Sequence, residues 1–197
     1  MTSPVTARDR AKAERSDAIL REAARLFAES GYNGVSLEDI GAAVGVSGPA
    51  VYRHFAGKQA LLGAVLVQVS DDLVTGGTRV ATEGSTPGAR MHALIEFHVE
   101  FALGHADVIR VHDRDVAHLD ARDHSEVRRL QRAYIELWIS TLAPLVEADA
   151  DELRLRVQAC FGLINSTPHS TRTAARRRSA TATVLVAMAE SALRATT

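Results

Sequence analysis

Ser36-Leu37-Glu38-Asp39-Ile40-Gly41-Ala42-Ala43-Val44-Gly45-Val46-Ser47-Gly48-Pro49-Ala50-Val51-Tyr52-Arg53-His54-Phe55 is the stretch on which the reading of this 197-residue chain turns. Ser36 precedes an apolar-periodic segment, so its hydroxyl is placed to cap a helix whose first turn carries Glu38 and Asp39, the acids a helix dipole favours. That helix is predicted to end near Gly45. Ser47 is a second candidate cap only two residues later, and Pro49 near the first helical position opens a short helix through Val51, Tyr52, His54 and Phe55. Upstream, Ile19, Ala23, Leu26 and Phe27 recur at helical spacing from about Arg8 to Ser30, and Gly31 supplies the stop. A long helix followed by two short ones with three or four residues between them is a helix-turn-helix arrangement.

Such a unit lays the start of its second short helix in the major groove of DNA while the first crosses the phosphate backbone. The groove helix is predicted to run from Gly48 to Phe55. Tyr52, His54 and Lys58 are donors spaced along its exposed side and the following turn, suited to phosphate oxygens, and Arg53 is the residue able to grip guanine with two bonds. Phe27, Leu26, Ile40, Val51 and Phe55 are assigned to the core. Arg8, Arg10, Lys12 and Arg15 alternate with Asp9 and Glu14, a pattern that fits either a solvated helix face or an arm on DNA.

Composition constrains the rest. Hydrophobic residues make up 46% of the chain and charged ones 24%, enough for one or two soluble domains with a sizeable core. With 23 basic against 24 acidic residues the net charge is -1, so any attraction to DNA must be local. No uninterrupted apolar run reaches the roughly 18 to 20 residues of a membrane span, and the first residues are charged, which gives the expectation of a cytoplasmic protein without a membrane partner. Cys160 is the single cysteine and is expected to be a buried small hydrophobe. The long Ala-, Leu-, Val- and Arg-rich segments carry no hairpin signal, so the fold is predicted to be all-α with nine helices. The later helices are expected from Lys58 until Gly76-Gly77 weakens the end, at 89–103, at 106–119, from a capping box at Asp123 and Glu126 towards Pro144, at 149–165 and at 173–195, with a loop over 82–88.

The run from Ala18 to Tyr32, then Val35-Ser36-Leu37-Glu38-Asp39-Ile40, Gly45-Val46-Ser47, Val51-Tyr52-Arg53-His54-Phe55 and Lys58, closely resembles the DNA-binding domain of the tetracycline-repressor (TetR) family. The resemblance implies a homodimeric, ligand-releasable repressor with a DNA-binding domain over residues 8–60 and a helical ligand-binding and dimerisation domain over 61–197. It puts Tyr52, His54 and Lys58 on backbone-contacting positions and Ser47, Gly48 and Pro49 at the groove-facing start of the recognition helix; Ser36 joins them at the start of the helix before. Ala50 departs from the family pattern, which usually has Thr or another polar residue there, so base reading would rest on Arg53, methyl contacts and DNA shape.

Beyond about residue 80 the candidates come from chemistry alone. His98, Phe101, Ile109, His112, Tyr134, Trp138, Phe161 and Asn165 combine apolar walls with a few polar handles and form the candidate effector pocket. The segment from Val108 to Leu119 loosely resembles actinobacterial members of the family that sense acyl-CoA thioesters; Arg110, Arg114 and Arg122 are then either partners of the CoA phosphates or members of ion pairs with Asp107, Asp113 and Asp115. Thr181, Val184, Leu185, Met188 and Ala192 form a stripe on the last helix, predicted to join the eighth helix in a four-helix dimer interface that presents two recognition helices to a pseudo-palindromic double-stranded operator. Two other readings stand beside this one. The first is a metal-dependent helical hydrolase of the His-Asp type with His98, His112, Asp113 and another aspartate as ligands, which leaves the first 60 residues unexplained. The second is a drug- or metal-responsive repressor of the same fold, the metal held by His98, His105 or His112. The favoured reading needs no enzyme activity, cofactor or metal.

Overall fold

The structure, a computed structural model, describes residues 6–167 and 178–195. Among the described residues the chain forms α1 (Ala7–Ser30), α2 (Leu37–Ala43), α3 (Gly48–Tyr52), α4 (Lys58–Glu83), α5 (Pro87–Gly104), α6 (Ala106–Asp115), α7 (Ala121–Leu142), α8 (Ala150–Asn165) and α9 (Arg178–Leu193), with short 3-10 turns after α6 and α7 and no strand. Among the described residues this is the expected all-α, nine-helix fold.

Local chemistry sets the first three helices. Ser36 and Asp39 close a capping box on α2, satisfying donors that a bare helix end would leave open. Gly45 turns the chain at φ +70°, a left-handed conformation that favours glycine, and the four residues from Val44 to Ser47 bring α3 back across α2. The crossing is tight: a Cβ on Gly41 would lie 2.9 Å from the Val46 carbonyl oxygen. Ile19, Phe27, Ile40 and Val51 are fully buried together with Leu61 and Leu62 of α4, so burial of one apolar face drives the three-helix unit against the first turns of α4.

α4 then changes partners. Its second half, through Leu73, Val74 and Val80, packs on a second core built from α5, α7, α8 and α9, with Leu94, Ile95, Trp138 and Ile164 fully buried. The helix runs straight through Gly76 and Gly77, against the expectation that they weaken its end. Phe97 and Tyr134 lie where their side chains would be, so close packing offsets the roughly 1 kcal/mol each glycine costs in a helix. By length and hydropathy α4 alone among the described helices could cross a bilayer. Instead its apolar face is divided between the two cores, and Asp71 and Asp72 stand exposed at its middle.

Other boundaries also differ from expectation. α7 begins three residues earlier than a cap at Asp123 requires, because Asp120 accepts from the Asp123 amide, leaving Asp123 to pack against Gly63 of α4. α6 ends at Asp115 rather than Leu119, and the loop shrinks to Gly84–Thr86 because Thr86 caps α5 with Pro87 at its first position. The first residues of the expected ninth helix, 173–177, lie outside the described residues.

Candidate nucleic-acid interface and effector cavity

The outer side of α3 is built from small residues at its start and polar ones at its end. Pro49 and Arg53 are exposed, Tyr52 is 54% exposed, and Ser47 sits at the N-cap position without spending its hydroxyl on the helix. Ala50, Arg53 and His54 line an open groove with Arg8, Lys12 and Arg15 of α1, so the basic residues near the N-terminus converge on the recognition helix with Asp9 as the acid among them. Asp9 is bound into the α1 capping box, and its hydrogen bonds from Thr6 keep its carboxyl below the usual range.

Three residues assigned to this surface have other work. Lys58 Nζ donates to the Tyr32 carbonyl at 2.8 Å and the Val35 carbonyl at 2.9 Å and lies over the Tyr32 ring, so it ties the α1–α2 loop to α4 rather than standing free for phosphate. Ser36 Oγ donates to Asp39 at 2.6 Å and accepts from the Asp39 amide, which commits it to the cap. Gly48 is buried, and a Cβ there would meet the Glu38 side chain at 3.1 Å. What α4 does offer is its N-terminus: Gly57 provides no side-chain cap, so the first-turn amides are left without one, an arrangement suited to an anion.

Between α4, α5, α6, α7 and α8 lies a cavity of about 310 Å³. Seven of the eight pocket candidates line it: His98, Phe101, Ile109, His112, Tyr134, Phe161 and Asn165. Trp138 does not. It is fully buried behind the wall, edge-on to Phe161 at 4.9 Å and to His98 at 5.6 Å between ring centres. The sequence reading missed the contribution of α4, whose Leu66, Val69, Ser70 and Leu73 form one wall; Ser70 interrupting that apolar stripe was the available signal. It also missed Gln131, which meets His112 Nε2 at 2.6 Å between α7 and α6.

His98 is 3% exposed and sits among Phe101, Tyr134, Trp138 and Phe161. Burial pushes its pKa down to about 4, outweighing the opposite pull of the Asn165 side chain, so the ring is neutral. Tyr134 is raised by the same burial. Cys160 is pushed up to about 12 by burial and is an inert thiol, as expected of a core residue. No three His, Cys, Asp or Glu among the described residues are placed to hold a metal ion.

The cavity is wired to the DNA-binding helices through α6. Its Val108, Ile109, His112 and Asp113 line the cavity, and the next residue, Arg114, reaches α1, donating to the carbonyls of Phe27 and, at 3.4 Å, Ala28. The same guanidinium pairs with Asp115 at 3.0 Å, whose carboxylate is almost wholly buried. Arg114 is therefore a C-terminal cap for α1, and Arg110 pairs with Asp107 at 3.1 Å. Of the three arginines considered for CoA phosphates, these two follow the ion-pair reading; Arg122 is exposed in the first turn of α7.

At the far end, α8 and α9 show an apolar face. Leu155, Val184 and Met188 are each at least half exposed, flanked by Ala159, Gly162 and Ala192, and Gly162 has open space where a side chain would be. Leu185 departs from the expected stripe: it is buried with Ala189 and Leu193 in the second core.

Comparison with known proteins follows the same division. Residues 19–65 match the family described as bacterial regulatory proteins, tetR family, and residues 84–169 match the tetracyclin repressor-like C-terminal domain. The chain is 26% identical over 168 residues to the HTH-type transcriptional repressor KstR2 of Rhodococcus jostii, covering 85% of this chain and 82% of that one. Among solved structures, the TetR family regulator PfmR of Thermus thermophilus superposes with a TM-score of 0.76 at 23% identity, covering 98% of this chain and 99% of that one. AibR, solved with isovaleryl coenzyme A and operator DNA, superposes with a TM-score of 0.72 at 19% identity, covering 88% and 97%. The chain belongs to the TetR family and is a DNA-binding transcriptional regulator.

Proposed function

We propose that this regulator is a repressor, with residues 8–60 on DNA and 61–197 for ligand and dimer, released from its operator when a small apolar effector of the acyl-CoA thioester class enters the cavity between α4 and α8. TetR-family regulators bind operator DNA as dimers. Here the apolar face of α8 and α9 pairs the subunits, and two copies of α3 enter successive major grooves about 34 to 36 Å apart. Tyr52, His54 and the N-terminus of α4 hold the backbone, Arg53 reads a base edge, and Arg8, Lys12 and Arg15 extend the basic surface. A DNA-binding role supports a cytoplasmic location, and the mechanism calls for no catalysis.

The observation that carries release is the double duty of α6: one face lines the cavity and the adjoining residue caps α1. An effector shifts the equilibrium only by preferring one arrangement over the other. Filling the cavity presses on α6 and α4 together, and any movement of α6 is passed to α1 through Arg114, changing the separation of the two α3 helices. The acyl-thioester class is supported by the apolar walls and by the likeness to AibR, whose structure holds isovaleryl coenzyme A.

The test is a mobility shift with DNA from upstream of the protein's own gene, run with and without a panel of acyl-CoA thioesters, free acids and apolar drugs. A retarded band released by a thioester supports the reading. A band that no member of the panel releases removes the effector assignment and leaves DNA binding in place.

A further inference from the structure

We infer that the group the effector presents to the inner end of the cavity is an uncharged carbonyl, as in a thioester, ester or ketone, and that the cavity rejects the corresponding free carboxylate. This rests on the reading of the cavity as the effector site. Tyr134 Oη lies 3.3 Å from His98 Nδ1, and a buried phenol must place its proton on an acceptor, so Tyr134 donates to that nitrogen. The neutral ring then carries its hydrogen on Nε2. That atom is buried and belongs to a cavity-lining residue; the Asn165 side chain pulls on it only weakly, and neither Nε2 nor Asn165 Oδ1 completes a hydrogen bond of ordinary geometry. An acyl carbonyl oxygen supplies the acceptor that Nε2–H lacks, and Asn165, by exchanging the ends of its amide, donates a second bond to the same oxygen.

Charge decides between carbonyl and carboxylate. The polar residues lining the cavity are Ser70, His98, His112, Asp113, Gln131, Tyr134 and Asn165, with no lysine or arginine among them. A carboxylate placed there loses its hydration without gaining a cation. Burial keeps His98 from supplying the missing charge at neutral pH.

Trp138 is the single tryptophan and touches the rings of His98 and Phe161 from behind, so its emission reports occupancy without DNA. The probes are S-isovaleryl- and S-octanoyl-N-acetylcysteamine, which lack the CoA phosphates, against isovalerate and octanoate, with ethylbenzene as a neutral filler. At neutral pH each thioester is expected to bind at least about tenfold more tightly than its acid, and His98→Phe to lose about tenfold or more for thioesters while keeping its affinity for ethylbenzene. An acid that binds as tightly as its thioester, or a His98→Phe protein with unchanged thioester affinity, overturns the inference and leaves the cavity as an effector site. If none of the probes alters Trp138 emission while operator binding is intact, the effector reading itself fails and this inference falls with it.

Discussion

His98 makes stability depend on pH in a way that can be isolated. Its ring is buried as the neutral form, with a pKa lowered from 6.5 to about 4 by desolvation, whereas in the unfolded chain it titrates near its ordinary value. Between these values the unfolded state binds a proton that the folded state refuses. The stabilisation is therefore fully present above about pH 6.5, is lost as pH falls towards about 4, and is flat below. The gap, at about 1.4 kcal/mol per pH unit, is worth about 3 kcal/mol. The assay is urea unfolding followed by far-UV circular dichroism at fixed protein concentration, because subunit association enters the measured stability. Wild type and His98→Phe are compared across the range. Asp39, held low by its hydrogen bonds from Ser36, and Glu126, held low by Arg129, also lose stability as pH falls, but they are common to both proteins and cancel. Wild type is expected to lose about 3 kcal/mol relative to the variant between neutral pH and about pH 4. Parallel curves would refute the claim that the ring is buried neutral.

Three further perturbations probe the rest of the account. Arg114→Ala removes the cap on α1 and leaves the nearly buried Asp115 carboxylate unpaired; because Arg114 is partly exposed, a loss of about 2 kcal/mol is expected in urea unfolding, together with reduced sensitivity of operator binding to effector. Arg53→Ala should cost about 1 to 3 kcal/mol at one operator position, measured by anisotropy on single-base variants, whereas Tyr52→Ala should weaken all sequences alike. Met188→Glu with Leu155→Glu places charges on the exposed face of α8 and α9 and should give a monomer in sedimentation velocity with a native far-UV spectrum; a persistent dimer would move the interface elsewhere.

The helix-turn-helix was legible because its signals are local. The Ser36 cap, the acids behind it, the turn at Gly45 and Pro49 at the head of α3 all act within a few residues. The misplacements involve partners far along the chain. Lys58 looks like a free cation until Tyr32 and Val35 are folded beneath it, and Arg114 looks like a surface charge until the end of α1 arrives. Asp120 and Asp123 stand three residues apart and either suits a cap; packing against Gly63 decides between them. Trp138 and Phe161 share the same chemistry, and only the position of the void puts one on its wall and the other behind it. α9 is apolar on several sides, so periodicity did not separate Leu185, which faces the core, from Val184 and Met188, which face out.

The central claim is that cavity occupancy and operator binding are coupled, and linkage tests it most directly. The affinity of the dimer for its operator is measured by anisotropy with and without saturating acyl thioester, and the affinity for the thioester is measured by Trp138 fluorescence with and without saturating operator. The account predicts that each ligand weakens the other by the same factor, in the range of about 5 to 150 that couplings of this kind span. Operator affinity unchanged by a thioester that demonstrably fills the cavity would contradict it.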